Sequence, residues 1–210
     1  MKAIIFSLLG WMFLPVMDGF AKFLSDDLPI LQITWARYFF TVVFTLPIMI
    51  FFFKKQLVWS DKPKLQILRG LILLSANICF FYAISIISLA KALTLAFVAP
   101  LIVTAFSPVM LGEKVGFRRW TAVVVGFVGS LVVIRPGFVE LNFASLAALG
   151  TGILYGFYLI ITRKLSTSDN PLLTLLMTGM VGAILVSAII PFYWVKPSLN
   201  QWSLMAGIGV

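Results

Sequence analysis

The sequence contains no histidine and only one cysteine, Cys79, among its 210 residues. Histidine is the commonest metal ligand and a frequent general base in proteins, so its absence argues against most catalytic and metal sites. A single cysteine cannot form an intramolecular disulfide. Charged residues are scarce as well, at 11% of the chain, whereas a soluble domain has about a quarter. We therefore predict no catalytic residue, no metal site and no cofactor.

The chain is rich in apolar residues instead: 61% are hydrophobic, and the mean hydropathy is +1.09. A soluble core of this size cannot bury that much apolar surface, so lipid must be the main solvent. The net charge of +9 is also found in nucleic-acid-binding proteins, but here the basic residues lie in short clusters between apolar runs. Such clusters are typical of loops that orient a membrane protein. We predict that the protein contacts lipid and binds no nucleic acid.

Long apolar segments recur along the whole sequence. A helix needs about 20 mainly apolar residues to cross the hydrocarbon core of a bilayer. Seven segments meet this requirement, and an eighth begins near Gln201. The seven are residues 3–24, 32–53, 67–87, 92–111, 118–135, 143–163 and 172–195. They predict an all-α, polytopic membrane helix bundle with seven transmembrane helices and the start of an eighth.

The distribution of lysine and arginine predicts how these spans are oriented. Eleven of the 16 basic residues fall on one side, and the bias alternates from loop to loop as seven spans require. Arg69 is counted on that side, and Arg37 on the opposite one. Loops rich in lysine and arginine stay in the cytoplasm. We therefore expect a cytoplasmic N-terminus.

A faint internal repeat divides the chain into residues 1–136 and residues 143–210. The first span ends "MDGFAKFL" and the sixth contains "LYGFYLII", which aligns Gly19 with Gly156. The first unit has five spans, an odd number, so the second unit must be inverted in the membrane. Inverted repeats around a midplane site are a transporter architecture. Ten helices would complete the pattern, and we expect this chain to be truncated at its C-terminus.

The fourth span, "LAFVAPLIVTAFSPVMLGEK", contains two prolines, Pro100 and Pro108. Proline has no backbone donor, so Pro100 would free the carbonyl of Ala96 four residues earlier. In lipid such a break is tolerated mainly against protein or a wet cavity. Two interpretations stay open: a bent helix that gates a substrate path, or a static kink packed against its neighbours.

Glu113 lies at the end of this span, where its charge opposes the helix dipole by about 0.3–1 kcal/mol. A basic partner is therefore expected, and Arg118 across the short turn is the predicted one. Glycines at helical spacing in the fifth span, Gly126 and Gly129, favour close helix packing. They also allow a homodimer that pairs through this helix.

Polar side chains inside the spans are the candidates for a substrate site. A charge at the bilayer centre costs at least about 2.5–3.5 kcal/mol and usually faces the bundle interior. Tyrosine and asparagine side chains can hydrogen-bond a polar ligand, and tyrosine rings can stack on it. The predicted substrate-binding residues are Trp11, Asp18, Asn77, Tyr82, Tyr155 and Tyr158. The repeat aligns Tyr155 with Asp18. The alternatives are an Asp18–Lys22 ion pair near the outer interface and ordinary hydrogen bonds between helices.

The run "SLAKALTLAFVAPLIVTAFSPVMLGEK", followed by "RRWTAVVVGFVGSLVVIRPG", resembles the EamA-type repeat of the drug/metabolite transporter superfamily. The shared pattern is an alanine-rich helix with a central proline, a Gly-Glu at its cytoplasmic end, and a glycine-spaced fifth helix ending in Pro-Gly. The resemblance implies a ten-helix carrier in the inner membrane. Its substrates would be small metabolites such as amino acids or their derivatives, and helices one, three and four of each repeat would line the pathway.

The sequence therefore favours a secondary transporter that works by alternating access. No Gly-rich phosphate-binding loop is present, so direct coupling to ATP is not expected. The alternatives are a membrane scaffold or assembly protein that transports nothing and an intramembrane enzyme. The enzyme would need a nucleophile with a base or a metal cluster, and the sequence offers neither.

Overall fold

The computed structural model describes residues 15–52, 60–134 and 142–209. Nine α-helices and one 3₁₀-helix make up the regular structure of these residues, and they contain no β-strand. The α-helices are α1 (residues 15–24), α2 (Ile30–Phe52), α3 (Pro63–Ile86), α4 (Leu89–Ala96), α5 (Ala99–Leu111), α6 (Phe117–Ile134), α7 (Phe143–Leu165), α8 (Pro171–Ile189) and α9 (Leu199–Ile208). The 3₁₀-helix, Ile190–Tyr193, continues α8.

Five helical segments within the described residues are long and apolar enough to cross a membrane. They are Ile30–Phe51, Pro63–Ile86, Leu89–Leu111, Phe143–Leu165 and Pro171–Tyr193. Each coincides with a predicted span. Most of the first predicted span lies outside the described residues, and the predicted fifth span forms the 18-residue helix α6. The chain is thus a helical, multi-pass membrane protein.

The fourth span differs from the single proline-bent helix predicted for it. It is interrupted at Phe97 and Val98, which separate α4 from α5. Pro100 therefore lies in the first turn of α5 rather than in a helix interior. A first-turn residue needs no N–H for the helix, so proline fits there without the loss of a hydrogen bond. Pro108, by contrast, lies inside α5.

Helix α7 is the centre of the bundle, because it packs along α3 and also against α4 and α5. Two of its glycines allow this close approach. A Cβ at Gly156 would come within 2.7 Å of the Ile102 Cβ and 3.1 Å of the Ala99 carbonyl oxygen. Helix α2 packs along α8, and both also contact α3. A buried apolar cluster, including Leu24 and Met205, ties α1 and α9 to the same core.

Glu113 forms an ion pair with a different partner from the one predicted. Its carboxylate lies 2.7 Å from Arg163 and 3.9 Å from Arg119, and the ion pairs among the described residues do not include Arg118. The reason is tertiary packing. Helices α5 and α7 lie side by side, which brings the last turn of α7, with Arg163, to the end of α5. Gly112 adopts a left-handed conformation there (φ 71°) and ends α5 just before Glu113.

Candidate functional site

A cavity of about 420 Å³ opens between α1, α2, α3, the α4–α5 interruption and α7. Most of its wall is apolar, with Met17, Phe80 and Leu93 among the lining side chains. A few polar groups converge on it from four helices: Asp18, Arg37, Asn77, Thr151 and Tyr155. An apolar pocket with a small number of placed polar groups is the usual form of a small-molecule site.

Asn77 is held in the cavity wall by a neighbouring tyrosine. Its side-chain nitrogen donates a hydrogen bond of 2.7 Å to the Tyr38 hydroxyl. Tyr38 is itself 3% exposed, and its ring packs directly on Gly182 of α8. A bulkier residue at Gly182 would displace that ring. The amide of Asn77 is thus fixed in orientation by contacts that run through α2 to α8.

Asp18 and Arg37 place opposite charges in the same cavity. They do not form an ion pair with each other, and neither side chain has an ion-pair partner among the described residues. Lys22, the alternative partner for Asp18, is likewise absent from these ion pairs. Tyr155 lines the cavity together with Asp18, so the two positions that the repeat aligns lie in one site.

The α4–α5 interruption forms one wall of the cavity through Phe97 and Pro100. The same two residues line a second cavity of about 370 Å³ on the side of α6, where Val123 and Gly126 face them. The interruption therefore separates a cavity with charged groups from an apolar one. A shift of this short segment would change the shape of both.

Tyr158 takes part in a network next to the cavity rather than in its lining. Its ring stacks on Tyr155, with 5.4 Å between the ring centroids. Its hydroxyl accepts a hydrogen bond of 2.7 Å from the Arg69 guanidinium, whose central carbon also lies 4.4 Å from the centre of the Tyr158 ring. Tyr158 thereby connects the cavity wall to Arg69.

Arg69 is 4% exposed and lies within α3, rather than among the cytoplasmic loop charges as predicted. Its Nε donates to the Thr162 hydroxyl at 2.7 Å, and its Nη1 donates to the Thr174 carbonyl at 3.1 Å and to the Thr178 hydroxyl. No carboxylate within the described residues forms an ion pair with it. Neutral oxygens of α7 and α8 thus hold its charge.

Two other predicted residues, Tyr82 and Pro108, are not brought to this cavity. Tyr82 is 38% exposed and lies outside the cavity lining. Its place on α3 explains this, since Asn77 and Tyr82 are five residues apart and point to different sides of a helix. Pro108 lies further along α5 and does not line the cavity either. Trp11 falls outside the described residues.

The sequence does carry a signal for the two arginines that its analysis missed. Arg37 and Arg69 lie inside the predicted spans 32–53 and 67–87. An ionisable residue within a transmembrane segment is expected to serve a functional site or a buried network. This criterion selects Asp18, whereas the position of the two arginines near span ends favours loops. For metal binding, the described residues offer no group of three potential ligands.

Comparison with protein families matches residues 1–135 to the EamA-like transporter family. The chain belongs to the EamA-like transporter family. This confirms the resemblance drawn from the fourth and fifth spans, and it makes the protein a membrane transporter rather than an enzyme. A solved crystal structure has the same fold. The two chains superpose with a TM-score of 0.73 at 17% sequence identity, over 96% of this chain and 72% of that one.

Relatives of this chain are transporters of several small metabolites. The S-adenosylmethionine uptake transporter of Rickettsia bellii is 26% identical over 96% of this chain and 70% of its own length. The riboflavin transporter of Vibrio cholerae is 23% identical over 93% of this chain and 67% of its length. The pseudopaline exporter CntI of Pseudomonas aeruginosa is 27% identical over 93% of this chain and 69% of its length.

Proposed function

We propose that this EamA-like transporter carries an amino acid or an amino-acid derivative across the inner membrane by alternating access. The observation that carries the proposal is the cavity in which Asp18, Asn77 and Tyr155 meet. These side chains come from α1, α3 and α7, three helices of a membrane bundle, and they face a volume suited to a small metabolite. The relatives are named as transporters of small metabolites, and this supports a substrate of the same kind.

Alternating access would follow from two inverted repeats, residues 1–136 and residues 143–210. Helix packing supports this division. In the proposed repeat α2 corresponds to α8, and these two helices pack along each other. Likewise α1 and α3 correspond to α7 and α9: α3 packs along α7, and α1 approaches α9, where Phe20 lies against Gly207. A two-fold axis relates such pairs, as it does in transporters built on inverted repeats.

The α4–α5 interruption, with Pro100 just after it, would act as a gate in this mechanism. It forms a wall of the substrate cavity, and a broken helix at membrane depth is tolerated where it lines a cavity or is buried in protein.

The orientation with a cytoplasmic N-terminus also stays part of the proposal. When Arg37 and Arg69 are counted inside the spans, ten of the remaining basic residues lie on the predicted cytoplasmic side and four on the opposite side.

Transport by the reconstituted full-length protein tests this function. The assay measures uptake of radiolabelled S-adenosylmethionine, methionine and riboflavin into proteoliposomes, with protein-free liposomes as the baseline. We expect movement of at least one amino-acid-derived solute. Asp18→Asn should slow that movement about tenfold or more, because a hydrogen bond to a charged group is lost. Membrane insertion should be unchanged.

The matched control is Asp26→Asn, because Asp26 is an exposed acid just after α1. It should transport at the wild-type rate. Full activity of Asp18→Asn would overturn the site assignment and leave the transporter function intact. Purification with a fixed protein partner, together with no movement of any solute, would favour the scaffold instead.

Whether two copies pair through α6 is a separate prediction. Gly126 and Gly129 on that helix have open space beside them.

A further inference from the structure

The substrate cavity contains two opposite charges that do not form an ion pair with each other. Asp18 on α1 and Arg37 on α2 both line it. Within the described part of the chain, neither side chain has an ion-pair partner, and neither makes a side-chain hydrogen bond. Charges in the interior of a membrane protein are costly and normally find a partner. Two separated charges facing one cavity therefore call for a ligand that complements both.

A zwitterion meets this requirement with a single molecule. Its carboxylate can accept a forked hydrogen bond from the Arg37 guanidinium, a geometry that arginine favours. Its cationic group can lie at the Asp18 carboxylate. Asn77 can also contact the ligand, because its nitrogen already donates to Tyr38 and its oxygen is left to accept from a ligand N–H. A singly charged solute would leave one of the two charges unpaired.

The remaining wall defines the rest of the ligand. Phe80, Phe97 and Leu93 give the cavity an apolar surface, and a volume of about 420 Å³ is larger than a bare amino-acid backbone requires. Aromatic faces also attract cations and flat rings. The ligand that fits is therefore a zwitterion with an apolar or aromatic body.

We infer that the cavity selects zwitterionic metabolites by charge, with Arg37 binding the carboxylate and Asp18 binding the cationic group. The inference rests on the proposed transport function and adds the orientation of the substrate to it. Arg37 is then the residue that determines whether a carboxylate is required. Loss of its charge should change the ligand preference, beyond any general loss of affinity.

Equilibrium binding to the purified full-length protein in detergent tests this orientation. The probes are S-adenosylmethionine and methionine, together with methionine methyl ester, which has no carboxylate, and N-acetylmethionine, which has no cationic amine. We expect the wild type to bind methionine about tenfold or more tightly than either derivative, the loss expected for one hydrogen bond to a charged group.

The two variants should lose opposite parts of this preference. Arg37→Gln should bind methionine and its methyl ester equally, while it still discriminates against N-acetylmethionine. Asp18→Asn should show the reverse. Because each comparison is made within one variant, a lower fraction of folded protein does not change the ratio. Arg37→Lys keeps the charge and should retain the preference for the free carboxylate. Arg118→Gln, the same substitution at an exposed arginine, should behave as the wild type.

Several outcomes would overturn the inference. If Arg37→Gln still prefers the free carboxylate, Arg37 is not its binding partner. If no zwitterion in the panel binds the wild type, the substrate class is wrong. Transport of riboflavin that is insensitive to Arg37→Gln would contradict this inference but agree with the transporter function. Binding of zwitterions without movement of any solute would agree with this inference but contradict the transporter function.

Discussion

Gly152 of α7 lies directly against the carbonyl oxygen of Ala96, the last residue of α4. A Cβ at Gly152 would come within 2.6 Å of that oxygen, which is closer than real side chains allow. Pro100, four residues after Ala96, has no N–H with which to bind this carbonyl. The absence of a side chain at Gly152 therefore lets α7 press against the point where the fourth span is interrupted, at the wall of the proposed substrate cavity.

Gly152→Ala should destabilise the protein by about 1–3 kcal/mol, the usual cost of adding atoms to a closely packed contact. The backbone of Ala96 cannot move aside without shifting the interruption, so substrate affinity should fall as well. Gly150→Ala is the control on the same helix. Its Cβ would meet no atom within 4 Å, and alanine favours helix by about 0.5–1 kcal/mol. Denaturant titration in micelles measures both variants, and equal stability of the two would contradict this account.

Arg69→Gln should cost about 1.5–3 kcal/mol, in the range of hydrogen bonds to a charged group. The guanidinium connects α3 to Thr162 and Tyr158 of α7 and to Thr178 of α8, and glutamine is too short and too poor in donors to reach all of them. Lys64→Gln removes an exposed charge near the start of the same helix and should have little effect. The free energy of unfolding in micelles is the measurement. A cost below about 0.5 kcal/mol, the level of an average surface substitution, would show that the network does not stabilise the bundle.

Helix positions were the most predictable part of this fold, because hydropathy alone identifies segments that must satisfy their backbone in lipid. Five predicted spans coincide with helical segments of the structure. The interruption of the fourth span was harder to predict from the sequence. Pro100 indicates a break in the helix. Whether the proline bends one helix or begins a new one depends on how tightly α7 approaches, and the contact of Gly152 that reveals this is visible only in the structure.

For the site, the sequence selected residues by type and by helix face. This identified Asp18, Asn77 and Tyr155, which share the cavity. Tyr82 lies outside the cavity lining, since the rotation of α3 about its axis is fixed by packing against α7. The selection missed Arg37, because position near a span end does not distinguish a loop charge from one that faces a cavity.

Glu113 and Arg163 should show a coupling free energy of about 0.2–1 kcal/mol in a double-mutant cycle, as expected for a pair near the surface. The Arg163 side chain is 54% exposed and that of Glu113 is 30% exposed, so solvent screens their attraction. The variants are Glu113→Gln and Arg163→Gln, alone and combined. A parallel cycle with Arg118→Gln should give no coupling, and a larger value there would restore the pairing predicted from the sequence.

Asp169 should make the stability of the protein depend on pH in the acid range. It lies in the connection between α7 and α8. Burial by itself raises the pKa of its carboxyl, but hydrogen bonds from Ser60, Gln66, Ser168 and the backbone N–H of Asp61 outweigh this effect and hold the pKa below its usual value. The Gln66 bond measures 2.6 Å. A carboxyl with a lowered pKa in the folded state stabilises the protein above the pKa of the unfolded chain, about 3.9, and this contribution is lost as the pH falls through the folded value.

Thermal unfolding in micelles between about pH 7 and pH 3 measures this contribution, because the window includes the unfolded-state pKa of about 3.9. Above about pH 5 the wild type should unfold at a higher temperature than Asp169→Asn, since nearly all of the carboxyl is then ionised in both states. As the pH falls below about 4, the two melting temperatures should converge, because the carboxylate that the hydrogen bonds favour becomes protonated. Asp26→Asn, at an exposed acid, should follow the wild type throughout. A difference between Asp169→Asn and the wild type that stays constant over the whole range would mean that these hydrogen bonds do not favour the ionised carboxyl.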